Sequence, residues 1–255
     1  MLGFNGGLMG VQRTPTTGTA SGLWFQNEQS VAKRAGIWPV ISSDEYWANV
    51  VLLLRCDGSN GSSTFTDLSN SNHSITVTGA TVSTAEKQFG TGSLRVDNNQ
   101  YITTPGSSDF SLPGDFTVEM WAKFDTSQAS ADKTLFELGA YDNGILLRSD
   151  GVYFNGGLYD STIGLVNTSW RHYAVTRSGT TVRLFYAGVS QTLDSSTVSG
   201  TLNTANAAVR FGATRHSGAD GTNYMQGYID EIRITKGVAR YTANFTPPTA
   251  AFPNG

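Results

Sequence analysis

A chain of 255 residues can bury a complete core. With 15% charged residues, 29 glycines and dense Ser, Thr and Asn, this one has the profile of many short strands joined by tight turns. A formal net charge of −3 leaves no basic surplus for phosphates, so nucleic acid and anionic membrane are excluded as default partners. The lone cysteine, Cys56, excludes an intrachain disulfide and a Cys-based metal site.

The opening MLGFNGGLMGVQ has neither the positive n-region nor the continuous apolar h-region of a secretory signal. No stretch approaches the ~20 apolar residues of a membrane span. Synthesis in a cytoplasm is therefore expected.

Residues 1–45 carry glycines at 3, 6, 7, 10, 18, 22 and 36, with Trp24, Phe25, Ile37 and Trp38 at no strand or long-helix period. Such a segment cannot build a core of its own, yet its aromatic rings need a surface to cover them. We read it as an extended arm anchored by Trp24, Phe25 and Trp38, against the alternative that it packs back on its own domain. Asn27 to Arg34 suit a short helix, and Pro39 stops anything arriving from that side.

From residue 46 the strand pattern becomes regular. Val50 to Leu54 is a continuous apolar run that reads as a buried strand, and Cys56 just after it suits a small buried side chain. Phe116, Val118, Met120, Ala122 and Phe124 alternate with Thr117, Glu119, Trp121 and Lys123, the period of a strand with one face on a core. Leu135 to Leu138, Gly144 to Arg148 and Val152 to Asn155 are shorter strands punctuated by DNG and SDG turns. Trp170 to Arg177, SGT and Val182 to Tyr186 form the clearest hairpin. In GYIDEIRIT the spacing of Ile229, Ile232 and Ile234 requires a β-bulge at Asp230–Glu231 to put all three on one face. The closing segment GVARYTANFTPPTAAFPNG is expected as an extended tail tacked down by Tyr241, Phe245 and Phe252.

The segments LLRCDGSNGSSTFTDLSNSNH, FGTGSLRVDNNQYITTP, DFTVEMWAKF, SWRHYAVTRSGTTVRLFYAGV and GYIDEIRITKGVARYT resemble, in order and spacing, the concanavalin A-like, laminin-G-like jelly-roll family over roughly residues 50–245. The resemblance implies an all-β fold of two packed antiparallel sheets with loops at the rims, residues 46–255 forming the jelly roll with its tail. It also implies sugar binding, protein binding or glycan hydrolysis as the range of functions. The flanks, GLWFQNEQSVAKRAGIWP and KGVARYTANFTPPTAAFP, are similar to those of laminin-G-like proteins among the structural genes of tailed bacteriophages. This similarity implies a virion protein made in the host cytoplasm, with other virion proteins of capsid or tail as partners. It also implies a homo-oligomer, a trimer by preference, since closed rotational assemblies are usual for identical chains.

A hydrolase of this family would need two carboxylates across a scissile bond, and the Glu-x-Asp-x-x-Glu arrangement of its glucanase branch is absent. Asp230 and Glu231 are adjacent, and in an undistorted strand they face opposite sides. Glu119 has no acidic residue two positions on. We therefore expect no enzyme and no catalytic residue. His73, His172 and His216 share no motif with a nucleophile, and His172 reads as a structural sheet residue.

Laminin-G relatives often hold calcium at a loop rim, which makes Asp142, Asn143, Asp220 and Asn223 the candidate ligands here. Each pair is also an ordinary turn former, and that reading outweighs the calcium one. No other cofactor is indicated. Tyr141, Asn155, Tyr159 and Asp160 are the candidate glycan contacts, rings for stacking and oxygens for hydroxyls. Three functions follow in order: a non-enzymatic phage structural protein such as a capsid decoration, a tail-associated adhesin for host surface glycan, and a polysaccharide hydrolase.

Overall fold

The computed structural model describes residues 43–125, 133–139, 144–154, 157–160, 164–194, 202, 204–214 and 223–255. The chain divides by its contacts into Met1–Ser43 and Asp44–Gly255. The arm residues Trp24, Phe25 and Trp38, and the helix expected over 27–34, lie outside the described residues.

Within Asp44–Gly255 the structure is a two-sheet antiparallel sandwich. The strands are β1 (Val50–Leu54), β2 (Thr76–Thr78), β3 (Thr81–Ser83), β4 (Ser93–Val96), β5 (Tyr101–Thr103), β6 (Phe116–Phe124), β7 (Thr134–Leu138) and β8 (Ile145–Arg148). They continue as β9 (Gly151–Phe154), β10 (Gly157–Asp160), β11 (Arg171–Ser178), β12 (Thr181–Tyr186), β13 (Val189–Ser190), β14 (Val209–Phe211) and β15 (Gly227–Lys236). One sheet has the order β13-β12-β11-β6-β15-β4-β3 with β1 also on β15, and the other β10-β9-β8-β7-β14-β5-β2. Two single turns of 3-10 helix, Trp47–Asn49 and Ser108–Phe110, complete the described regular structure.

The core lies between the sheets. Phe116, Val118, Met120, Ala122 and Phe124 of β6 all enter it, together with Val175, Leu184, Ile229, Ile232 and Ile234 from the neighbouring strands. Cys56 is buried in the same cluster. The β11–β12 hairpin closes through Gly179 at φ 61, and the β12–β13 hairpin through Ala187 and Gly188 at φ 51 and 78, the positive values that a two-residue turn between twisted strands requires.

The bulge in β15 is present: its register against β6 shifts between Asp230 and Arg233, and Glu231 has φ 50. Here β15 also changes partner, pairing with β4 at Gly227 to Ile229 and with β1 at Ile232 to Thr235. The bulge also sets where its two acids point. Asp230 bonds the 88–89 backbone and Glu231 the tail at Phe252, so the bulge turns both carboxylates to the face away from the core rather than to opposite faces.

Candidate outer-face site

The face of the larger sheet that points away from the core carries its polar chemistry. Thr117, Glu119, Trp121 and Lys123 alternate with the core residues of β6, so they belong to this outer face. Register then fixes their neighbours. Glu119 lies opposite Arg233 of β15, and Trp121 opposite His172 of β11. Glu119, Asp230, Glu231 and His172 are nevertheless completely buried: the C-terminal tail packs on Glu119, His172 and Glu231, and the 88–89 segment on Asp230.

Tyr241 and Phe245 stack on each other with centroids 3.6 Å apart, and Phe245 and Phe252 meet the His172 ring edge-on at 5.6 and 6.4 Å. The Phe252 ring stacks on the Arg233 guanidinium, whose Cζ is 3.9 Å from the ring centroid. The tail is also held at its backbone. Phe252 donates its amide to Glu231 Oε2 at 2.8 Å, and Arg55 Nη2 donates to its carbonyl at 2.7 Å. Tyr241, Phe245 and Phe252 therefore hold the tail down as their positions in the sequence imply.

Glu119 is the hub beneath this cover. Arg233 donates Nε to Oε1 at 2.9 Å, Tyr241 donates its hydroxyl to Oε2 at 2.8 Å, and His172 Nε2 meets Oε2 at 3.1 Å. Arg233 Nη1 and Arg240 Nη2 both reach Asp44 Oδ2, at 2.9 and 2.7 Å. Burial alone would raise the Glu119 carboxyl, but the Arg233 charge and the His172 bond outweigh it and hold the group at about 2. Burial, then the Glu119 charge, pushes the Tyr241 hydroxyl well up. Glu119 is thus a permanent carboxylate that neither takes up a proton near neutrality nor faces solvent.

Asp230 and Glu231 differ in kind. Burial pushes both carboxyls up to about 7, against the bonds they accept from backbone amides. The chemistry of the covered half is therefore one ionised acid locked by arginine and two acids close to neutral, all committed to holding chain segments.

The other half of the outer face is not crossed by the tail. Arg95, Tyr228, Lys123 and Trp170 form one cross-strand row, set by Tyr228 opposite Arg95 and Lys123, and by Arg171 opposite Ala122. All four are partly exposed. The Arg95 guanidinium lies 4.8 Å from the Tyr228 centroid, and Trp170 and Tyr228 are 6.4 Å apart. Arg95 is paired with Asp125 at 2.8 Å and Asp97 at 3.3 Å, and Lys123 with Glu86 at 2.7 Å, so the row is amphipathic with both cations paired.

The candidate loop residues fall elsewhere. Tyr141, Asp142, Asn143, Asn155 and Asp220 lie outside the described residues; Tyr159 and Asp160 lie on β10, opposite Val152 and Gly151. Asn223 is partly exposed at φ 52, in the left-handed region that Asn tolerates, and its carbonyl accepts the Thr134 amide at 2.9 Å. Among the described residues no three His, Cys, Asp or Glu side chains are placed to hold a metal ion. The Glu119–Arg233 hub and the Trp170–Tyr228 row escape sequence reading; the signal for both is outward alternation of charged or aromatic residues on β6 and β15.

Residues 96–240, more than half of the chain, match the family model of the concanavalin A-like lectin/glucanases superfamily, Laminin_G_3. The chain belongs to this family. No curated protein matches its sequence. Among solved structures it is similar to domain 4 of a GH43 extracellular arabinanase from Geobacillus stearothermophilus, solved in complex with arabinotriose. There the TM-score is 0.56 at 21% identity, over 75% of this chain and 94% of that one. It is also similar to the binding domain of Paraclostridial Mosquitocidal Protein 1, with TM-score 0.54, 16% identity and coverage of 75% of this chain and 50% of that one. For the botulinum neurotoxin serotype D binding domain the values are 0.53, 14%, 76% and 49%. The match spans about half the length of these toxin domains, and at such identities the likeness is one of fold.

Proposed function

We propose that this member of the lectin/glucanase superfamily is a non-catalytic module of a tailed-phage particle. In this reading residues 1–45 anchor it to other virion proteins, and the jelly roll is displayed outward. The observation that carries the non-catalytic part is the state of Glu119: fully buried, bonded to Arg233, His172 and Tyr241, and covered by the tail. A glycosidase acid or nucleophile must reach a scissile bond and, as general acid, exchange a proton near the working pH. Glu119 does neither, and Asp230 and Glu231 are occupied by backbone amides. The particle setting rests on the flanking segments and on the aromatic residues of the arm. Homo-oligomeric assembly follows from the symmetry that such particles impose.

A second reading, an adhesin for host surface glycan, is favoured by the uncovered Arg95–Tyr228–Lys123–Trp170 row. Aromatic faces beside paired charges suit a neutral sugar ring and its hydroxyls. The family's lectin members and the arabinotriose complex of the similar arabinanase domain support it.

Incubating purified protein with host capsule, lipopolysaccharide and peptidoglycan while following new reducing ends is the direct test. No turnover is expected, and turnover abolished by Glu119→Gln would overturn the proposal. A cryo-EM map of the particle showing density for this chain on head or tail tests the setting. Loss of glycan retention in Trp170→Ala or Tyr228→Ala, with folding intact, would favour the adhesin.

A further inference from the structure

Two adjacent carboxylates hold both covers of the outer face. Asp230 Oδ2 accepts the amides of Gln88 at 2.9 Å and Phe89 at 3.1 Å, which seats the Phe89 ring edge-on against Trp121 at 5.8 Å. The next residue, Glu231, accepts the Phe252 amide and so seats the tail. Both side chains are completely buried at a bulge whose φ of 50 at Glu231 lies in the left-handed region. Unlike Glu119, neither is bonded to a cation among the described residues. Asp230 is held by amides, its own neighbour's at 2.9 Å included, and Glu231 Oε1 is buried with no hydrogen-bond partner.

We infer that the Asp230–Glu231 bulge is a proton-operated clasp: with both carboxyls neutral it seats the 88–89 segment and the C-terminal tail on the sheet, and with both ionised it loosens them. The groups that face the pair leave its charge almost uncompensated. The segment after β1 presents Arg55, the thiol of Cys56 and Asp57, one cation against one anion. Within β15, Arg233 is already committed to Glu119 and Asp44. Before the 88–89 segment, Glu86 is paired with Lys123, and Lys87 bonds the Thr84 carbonyl at the surface. Strands β6 and β11 present Trp121 and His172, the latter bonded to Glu119, and the tail presents the Phe252 peptide.

The sign follows from linkage. Seated, both carboxyls keep their protons up to about 7; exposed by opening, they return to ~4. Opening therefore releases protons between those values, so the covers are tightest at and below about pH 4 and loosen progressively up to about 7. Within that window each pH unit changes the opening equilibrium by up to ~tenfold per carboxyl.

Hydrogen exchange on the full chain between pH 5.5 and 8, corrected for intrinsic exchange rates, tests this. The amides of Gln88, Phe89, Phe245 and Phe252 are expected to lose protection by about tenfold or more as pH rises, while β6 and β11 amides do not. In the Asp230→Asn, Glu231→Gln double variant the protection should become independent of pH. Uniform behaviour across the wild-type chain, or an unchanged pH dependence in the double variant, would overturn the inference. Should the double variant not fold, the wild-type side-chain carboxyl carbons can be followed by NMR. Titration above pH 6 at both residues supports the clasp, and titration below pH 6 at either overturns it.

Discussion

Arg233 and Glu119 face each other across β15 and β6 and are joined twice at the buried centre of the outer face, through Nε at 2.9 Å and Nη2 at 2.8 Å. The pair links the two central strands of the sheet to the tail through Tyr241 and to the start of the domain through Asp44. Removing one partner strands the other charge without water. Arg233→Ala is expected to cost about 3–5 kcal/mol, read as a shift of the urea midpoint at constant slope. Arg233→Lys recovers part of that loss, because an ammonium cannot fork to Glu119 and Asp44 at once.

Acid titration separates Glu119 from the bulge pair. A carboxyl held at about 2 in the fold contributes stability that is complete above its ordinary value of 4.5 and is lost as pH falls through about 2. Thermal midpoints measured from pH 5 down to pH 2 should therefore fall steeply for the wild type. Glu119→Gln should start lower and fall less, and equal slopes in the two proteins would contradict the assignment.

Phe252 fastens the tail, 1% exposed in a small cluster with Val50 and Leu53 and stacked against Arg233. Phe252→Ala should cost about 3 kcal/mol. Fluorescence-detected unfolding measures the loss, and a change under about 1 kcal/mol would mean that the ring is not an anchor.

Gly188 allows the tail to pass. It sits at φ 78, and a Cβ there would lie 2.1 Å from the Phe245 carbonyl oxygen, whose own amide donates to Gly188 at 2.9 Å. Gly188→Ala combines left-handed strain with a backbone clash, and a loss of about 2 kcal/mol is expected by chemical denaturation.

Deletion of residues 1–40 should leave a cooperatively folding β domain, since the sandwich and its core lie within Asp44–Gly255. On the proposed particle reading the shortened protein no longer incorporates, because losing buried aromatic anchors such as Trp24, Phe25 and Trp38 typically costs ~2 kcal/mol or more each. Incorporation at the normal level, scored by purifying particles, would count against the arm's role.

Sequence alone determined the elements whose pattern is local. The alternation of Phe116 to Phe124 names the core face of β6, and the irregular spacing of Ile229, Ile232 and Ile234 locates the β15 bulge, because side chains of a strand must alternate and a buried face tolerates no slip. The short β3 and β14 are not legible this way, because three residues carry no period. Only the tertiary structure decided what the outward residues do. Glu119 and Arg233 are 114 positions apart, and Glu231 and Phe252 meet through a tail that has no periodicity of its own. Charge compensation and burial depend on which segments arrive from a distance, so a sequence that reads as a solvent-facing polar stripe becomes, under its covers, a buried ion-pair hub beside two acids whose carboxyls burial pushes up to about 7.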